Sequence, residues 1–178
     1  PLYSSAASDV YKRHIMKITD LKPTIVWKFF HQVTQVPRPS KKEGKMIEFL
    51  ESFAKEYKIA IKKDEAGNLL MSKPATPGME DRPVVVLQSH MDMVCEKNNG
   101  TKHDFDNDPI ETIVDGEWLR ANGTTLGADN GIGVAAELAL LASDDIQHGP
   151  IECLFTVDEE TGLTGAKALK EGFMTGDI

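Results

Sequence analysis

The stretch Val84-Val85-Val86-Leu87-Gln88-Ser89-His90-Met91-Asp92 decides how the chain is read. Its apolar opening has no polar alternation, the pattern of a strand buried on both faces within a parallel sheet. That strand ends on His90-Met91-Asp92. Ligands of open α/β sheets gather at the carboxyl ends of the strands, so an imidazole at this point is placed for chemistry. On extended backbone Asp92, two residues on, projects to the same side and can hold the orientation of the ring. A lone His-x-Asp is more simply an exposed histidine followed by a turn aspartate, and only the remainder of the chain reverses that preference.

The 178 residues suit one domain, or part of one. With 40% hydrophobic residues the chain can build a core, yet no apolar run approaches the roughly 20 residues of a membrane span. A net charge of −8 without a basic cluster argues against nucleic acid as a partner. The acidity has two readings, solubility and carboxylates gathered around a cation. Cys95 and Cys153 are spaced neither as a zinc knuckle nor as a redox pair. They read as reduced thiols of a cytoplasmic protein. Residues 1–15 lack the apolar core of a signal peptide and are set aside as an extension or expression remnant. Met16 suits a natural start, and 16–178 carry the fold.

Outward from the central stretch, the periodicities alternate. Ile25, Val26, Phe29, Phe30 and Val33 mark one face of a helix from Thr24, closed by Pro37 and Pro39. Ser40-Lys41-Lys42-Glu43 resembles a capping box, with Ser40 as cap of a helix striped by Met46, Ile47, Leu50, Phe53, Ala54 and Tyr57. Short strands at 59–63 and 68–72 flank a turn. Asp115-Gly116 sits between Ile113-Val114 and Trp118-Leu119 as a hairpin signal. Gly127 to Gly133 opens an apolar helix over 132–141, 151–157 is a second buried strand, and a short helix lies near 165–169. The expected fold is α/β, a mixed sheet with a parallel centre and flanking helices.

Two further segments carry candidate chemistry. Leu126-Gly127-Ala128-Asp129-Asn130-Gly131-Ile132-Gly133 does not follow the dinucleotide pattern G-x-G-x-x-G. Asp129 is there either a helix N-cap or a carboxylate bridging two cations where glycines let backbone come close. Thr156-Val157-Asp158-Glu159-Glu160-Thr161-Gly162 ends the second buried strand. Three consecutive acids suit a solvated turn. On extended chain, however, neighbouring carboxylates face opposite ways, so that one could bind metal and the other face a water. One imidazole with several carboxylates suits zinc, with manganese or cobalt as substitutes. Neither H-E-x-x-H nor G-x-S-x-G is present.

In this order, H-M-D after V-V-V-L-Q-S, T-T-L-G-A-D-N-G-I-G and T-V-D-E-E-T-G resemble the di-zinc exopeptidases related to aminoacylase and carnosinase. D-M-V-C-E-K-N, K-P-A-T-P-G-M and H-G-P-I-E narrow the likeness to the aminoacyl-histidine (Xaa-His) dipeptidases. The resemblance implies metal ligation by His90, Asp129 and Glu160, with Asp129 bridging two zinc ions and Asp92 orienting His90. It implies Glu159 as the general base toward a metal-held water that hydrolyses a small peptide. Members of that family are longer. The resemblance therefore implies that 16–178 are the N-terminal part of a catalytic domain, lacking its lid and C-terminal part and inactive alone. It also implies a homodimer for the full-length protein. The competing readings are an N-acyl-amino-acid deacylase of the same clan and a non-catalytic fragment that keeps the fold.

Overall fold

The two apolar runs become adjacent parallel strands, and everything else packs around that pair. A computed structural model describes residues 16–176; the extension at 1–15 lies outside them. In chain order the elements are α1 (Thr24–Thr34), α2 (Gly44–Tyr57), β1 (Ala60–Lys63), β2 (Leu69–Lys73), β3 (Val85–His90), β4 (Thr112–Asp115), β5 (Trp118–Ala121), α3 (Ala128–Ala142), β6 (Ile151–Thr156) and α4 (Thr164–Ala168). One four-stranded sheet has the order β1–β2–β6–β3, and β4–β5 form a separate hairpin. The β3–β6 pair is parallel and the other pairs are antiparallel, which makes the sheet mixed as expected.

The sheet separates two apolar layers. Leu69, Met71, Cys153 and Phe155 face α1, α2 and α3, meeting Phe29, Phe30, Val33, Met46, Leu50, Val134 and Leu138. Their strand neighbours Leu70, Leu154 and Val86 face the opposite way, against Leu169, Phe173 and Met174. This is the two-residue alternation of strand side chains. β6, buried along its whole length, is the two-faced strand. β3 is less enclosed than its composition predicts: it stands at the end of the described sheet, and Val85 is 50% exposed. A strand with a neighbour on one side only leaves part of its surface uncovered.

Two local expectations change. The helix after the prolines starts at Gly44 with Glu43 in the capping position and no side-chain cap; Ser40 instead donates to Asp92 Oδ2 at 2.7 Å. Competition from a buried carboxylate overrides the local capping pattern. The β4–β5 turn falls on Gly116-Glu117, since Asp115 pairs with Trp118, and Gly116 takes the left-handed φ of +61° that such a turn requires. Among the described residues no helix is long and apolar enough to cross a membrane. Cys95 and Cys153 are both free thiols.

One polar group interrupts the helix-side core. Glu137 of α3 is buried and accepts a hydrogen bond from Ser89 Oγ at 2.9 Å. Burial pushes its carboxyl up to about 8 against an ordinary 4.5, and the Ser89 hydrogen bond only partly opposes this. The folded protein therefore holds a proton that the unfolded chain releases. The contribution of this group to stability is fully present below about 4.5, is lost as the pH rises toward about 8, and is absent above it. Denaturant melts of wild type and Glu137→Gln between about pH 5 and 6, below the range in which the raised His90 imidazole adds a slope of its own, check this. The variant should lose most of the slope, and an unchanged slope would remove Glu137 from the account.

Candidate metal centre

β3 and β6 run in register, His90 beside Thr156, so their carboxyl ends leave the sheet at one level. Met91 N–H donates to Thr156 O at 2.8 Å and keeps the two exits together for one further residue. The crevice beyond such paired ends is the general ligand position of α/β sheets. His90 and Asp92 come from the first exit and Glu159 and Glu160 from the second. Asp129 arrives at the start of α3, which packs on β3. Gly133 permits that packing: a Cβ there would lie 3.1 Å from the Ser89 side chain.

Asp92 is fully buried and is the hub. Its carboxylate accepts from Ser40 Oγ at 2.7 Å, Glu159 N–H at 3.0 Å and Glu160 N–H at 3.1 Å. His90 Nδ1 lies 3.3 Å from Asp92 Oδ1 and 3.2 Å from the Asp92 carbonyl. Burial works against the Asp92 charge. The hydrogen bonds from His90, Ser40 and the two backbone amides outweigh it and hold the carboxyl far below the usual carboxylate range. With Nδ1 turned to Asp92, Nε2 is the nitrogen offered to the crevice.

Nε2 meets Asp129 Oδ1 at 3.0 Å and Glu159 Oε2 at 3.8 Å. The Asp129 side chain is 86% exposed, at the lip of the site, whereas that of His90 is 6% exposed. Asp129 makes no N-cap: the capping position is Gly127, and Asp129 and Asn130, joined by a cis peptide, have non-helical backbone angles. His90, Glu159 and Glu160 each bring a donor atom within 4.8 Å of the others. Burial opposes a charge on His90, but Asp92, Asp129 and Glu159 outweigh it and lift the imidazole to about 9. The Glu160 carboxyl is raised by burial and by the negative charges of Glu159, Asp129 and Asp92, although His90 pulls the other way. Negative charge is thus in excess around one imidazole. A divalent cation fits this donor set, replacing the proton on Nε2 and relieving the crowded carboxylates.

The expectation that Glu159 and Glu160 face opposite sides rests on extended backbone, and the backbone is not extended there. Asp158 takes a left-handed conformation, φ +49°, and the glutamates follow in a turn closed by Gly162 N–H and Leu163 N–H onto Glu159 O. Both therefore reach the same crevice. Asp158 is held by hydroxyls of Thr161 and Thr164, while its N–H donates to Glu43 Oε1 at 2.9 Å. Glu43, Asp92 and Asp158 form a second, buried acidic cluster, in which Glu43 Oε1 and both carboxylate oxygens of Asp92 and Asp158 accept from protein donors. It is a scaffold for the turn.

Sequence reading missed Arg38, Glu43 and the bond from Ser40 to Asp92. No local signal marked them: Pro37-Arg38-Pro39 reads equally well as an exposed extended turn, and the partners of all three residues are distant in sequence.

Fold and site together define an α/β domain that gathers one imidazole and several carboxylates at the carboxyl ends of two parallel strands. Residues 86–177, half of the chain, match the family described as Peptidase family M20/M25/M40, and the chain belongs to that family. It is 48% identical over 162 residues to the cytosol non-specific dipeptidase of Escherichia coli, covering 91% of this chain and 33% of that protein. The solved aminoacylhistidine dipeptidase from Vibrio alginolyticus superposes with a TM-score of 0.91 at 49% identity, over 94% of this chain and 34% of that one. A Staphylococcus aureus tripeptidase superposes with a TM-score of 0.71 at 25% identity, over 92% and 43%. The chain thus spans about a third of the length of the two dipeptidases.

Proposed function

We propose that this chain supplies the N-terminal part of the catalytic domain of a metallodipeptidase, with Xaa-His dipeptides among its substrates. The observation that carries the reading is His90, backed by Asp92 on Nδ1 and faced by Asp129 and Glu159 on Nε2, with Glu160 beside them. His90, Asp129 and Glu160 would hold zinc. When bound, zinc supplies Lewis acidity that polarises a peptide carbonyl and makes water more acidic. Asp92 fixes the ring so that Nε2 keeps its aim. Glu159 accepts the proton of the attacking water on its carboxylate and returns it to the leaving amine. The low exposure of His90 keeps bulk water from competing for its nitrogen.

The two dipeptidase relatives carry different specificities in their names, one non-specific and one aminoacylhistidine. Assay of the full-length protein against β-alanyl-histidine, a dipeptide without histidine and an N-acetyl amino acid resolves this. Cleavage of dipeptides with the acyl amino acid untouched is expected. Preference for the acyl amino acid would make the protein a deacylase. Cytoplasmic location belongs to the same proposal and fits the two free thiols.

The present chain alone should hold zinc weakly and below two equivalents. Its proposed ligands are one imidazole and two carboxylates, which leaves much of a two-metal shell to water. Elemental analysis after dialysis checks this, and two tightly retained ions per chain would contradict it.

A further inference from the structure

The glycines around Asp129 make room for an arginine. Arg38, 2% exposed, reaches from the Pro37–Pro39 segment between α1 and α2 into the space beneath the proposed metal centre. Its Nη1 donates to Met91 O at 3.1 Å and to Asp92 O at 2.9 Å, and its Nη2 donates to Gly127 O. The backbone reciprocates, Met93 N–H donating to Arg38 O at 3.1 Å. A Cβ at Gly127 would lie 2.5 Å from Nη2, and one at Gly131 would lie 2.6 Å from it. Gly127 in addition has a φ of +68°. Both glycines of Gly127-Ala128-Asp129-Asn130-Gly131 thus border the guanidinium, one before and one after Asp129.

The three carbonyls belong to two segments far apart in sequence. Met91 and Asp92 follow His90, and Gly127 starts the turn that presents Asp129. The Asp92 carbonyl that Arg38 grips is also the one 3.2 Å from His90 Nδ1. A planar fork of donors fixes such an arrangement in distance and angle, which a single ammonium cannot do. Burial excludes direct contact with a substrate carboxylate.

We propose that Arg38 is a positioning residue of the metal centre: its buried guanidinium ties the Met91-Asp92 exit of β3 to the Gly127 turn and sets the spacing of His90 and Asp129. This rests on the metal-centre reading above. Removing a group that orients ligands typically weakens a metal by 10–100-fold, because ligands then sample geometries the ion does not favour.

The test uses the full-length, metal-depleted protein titrated with zinc against a chromophoric chelator, for wild type, Arg38→Lys and Arg38→Ala. Arg38→Lys should fold, with a thermal midpoint of its metal-free form close to wild type, and bind zinc roughly 10–100-fold more weakly. Millimolar guanidinium ion should recover part of the affinity of Arg38→Ala and none of that of Arg38→Lys, whose ammonium occupies the space. Wild-type zinc affinity in Arg38→Lys would overturn the proposal. So would failure of Arg38→Lys to fold, which would make Arg38 an ordinary core residue, or a folded Arg38→Ala indifferent to guanidinium. Wild-type protein that takes up no zinc is a different result and refutes the metal-centre reading itself.

Discussion

Glu159→Gln in the full-length protein should lower kcat by roughly 10²–10⁴ while KM changes little and the metal content stays at the wild-type level. That range is what a positioned acid–base group contributes. The amide keeps the size of the side chain and still accepts hydrogen bonds, but it cannot take up a proton at neutral pH. Glu160→Gln should behave differently. It replaces an anionic ligand with a neutral one, so one zinc is released and activity falls as a consequence. Excess zinc should then restore part of the activity of Glu160→Gln and none of that of Glu159→Gln. Both side chains reach the crevice from one turn, and proximity to His90 alone does not divide their roles. The Glu160 carboxyl is raised by burial and by its acidic neighbours, the situation that a cation relieves. Rescue of Glu159→Gln by zinc, or full metal retention by Glu160→Gln, would exchange the assignments.

Asp92→Ala should cost the protein both stability and metal. The carboxylate has no exposure and accepts from Ser40 Oγ, Glu159 N–H and Glu160 N–H while it backs His90. Truncation strands those donors beneath the site. A buried charge network broken by loss of one partner typically costs about 3–5 kcal/mol, and each stranded donor adds to the reason. The His90 ring also loses its orientation, and the 159–160 turn loses its anchor to β3. Asp92→Asn keeps the shape but turns an amide N–H₂ toward one of the donors, so an intermediate loss is expected. Denaturant melts of the metal-free protein measure the first effect, and zinc titration the second. An Asp92→Ala protein that melts as wild type would show that the hydrogen bonds at Asp92 do not hold the turn.

Where a segment's structure depends on its own neighbours, the sequence was readable. The apolar runs at 85–90 and 151–156 are strands, the stripe from Met46 to Ala54 is buried on α2, and Asp115-Gly116 marks a hairpin. His90 and Asp92 were legible because a two-residue offset past a strand end has few outcomes. What escaped depends on partners distant in sequence. Ser40 fits a capping box locally, and only Asp92, 52 residues on, draws it away. Arg38 has no local pattern, since its acceptors lie 53 to 89 residues ahead. The shared direction of Glu159 and Glu160 follows from a left-handed Asp158, which Glu43 and two threonine hydroxyls hold in place. No residue type in Val157-Asp158-Glu159 announces such a bend. Glu137, the one acid in the apolar run from Ile132 to Leu141, passed unremarked, since its partner Ser89 lies 48 residues away.

The proposed chemistry depends first on His90 as a metal ligand, on a site shared with Asp129 and Glu160. Zinc content of the dialysed full-length protein, measured for wild type and His90→Ala side by side, tests it most directly. Two zinc ions are expected in the wild type, and His90→Ala should lose at least one of them with the fold retained by circular dichroism. Equal zinc content in the two proteins would contradict it.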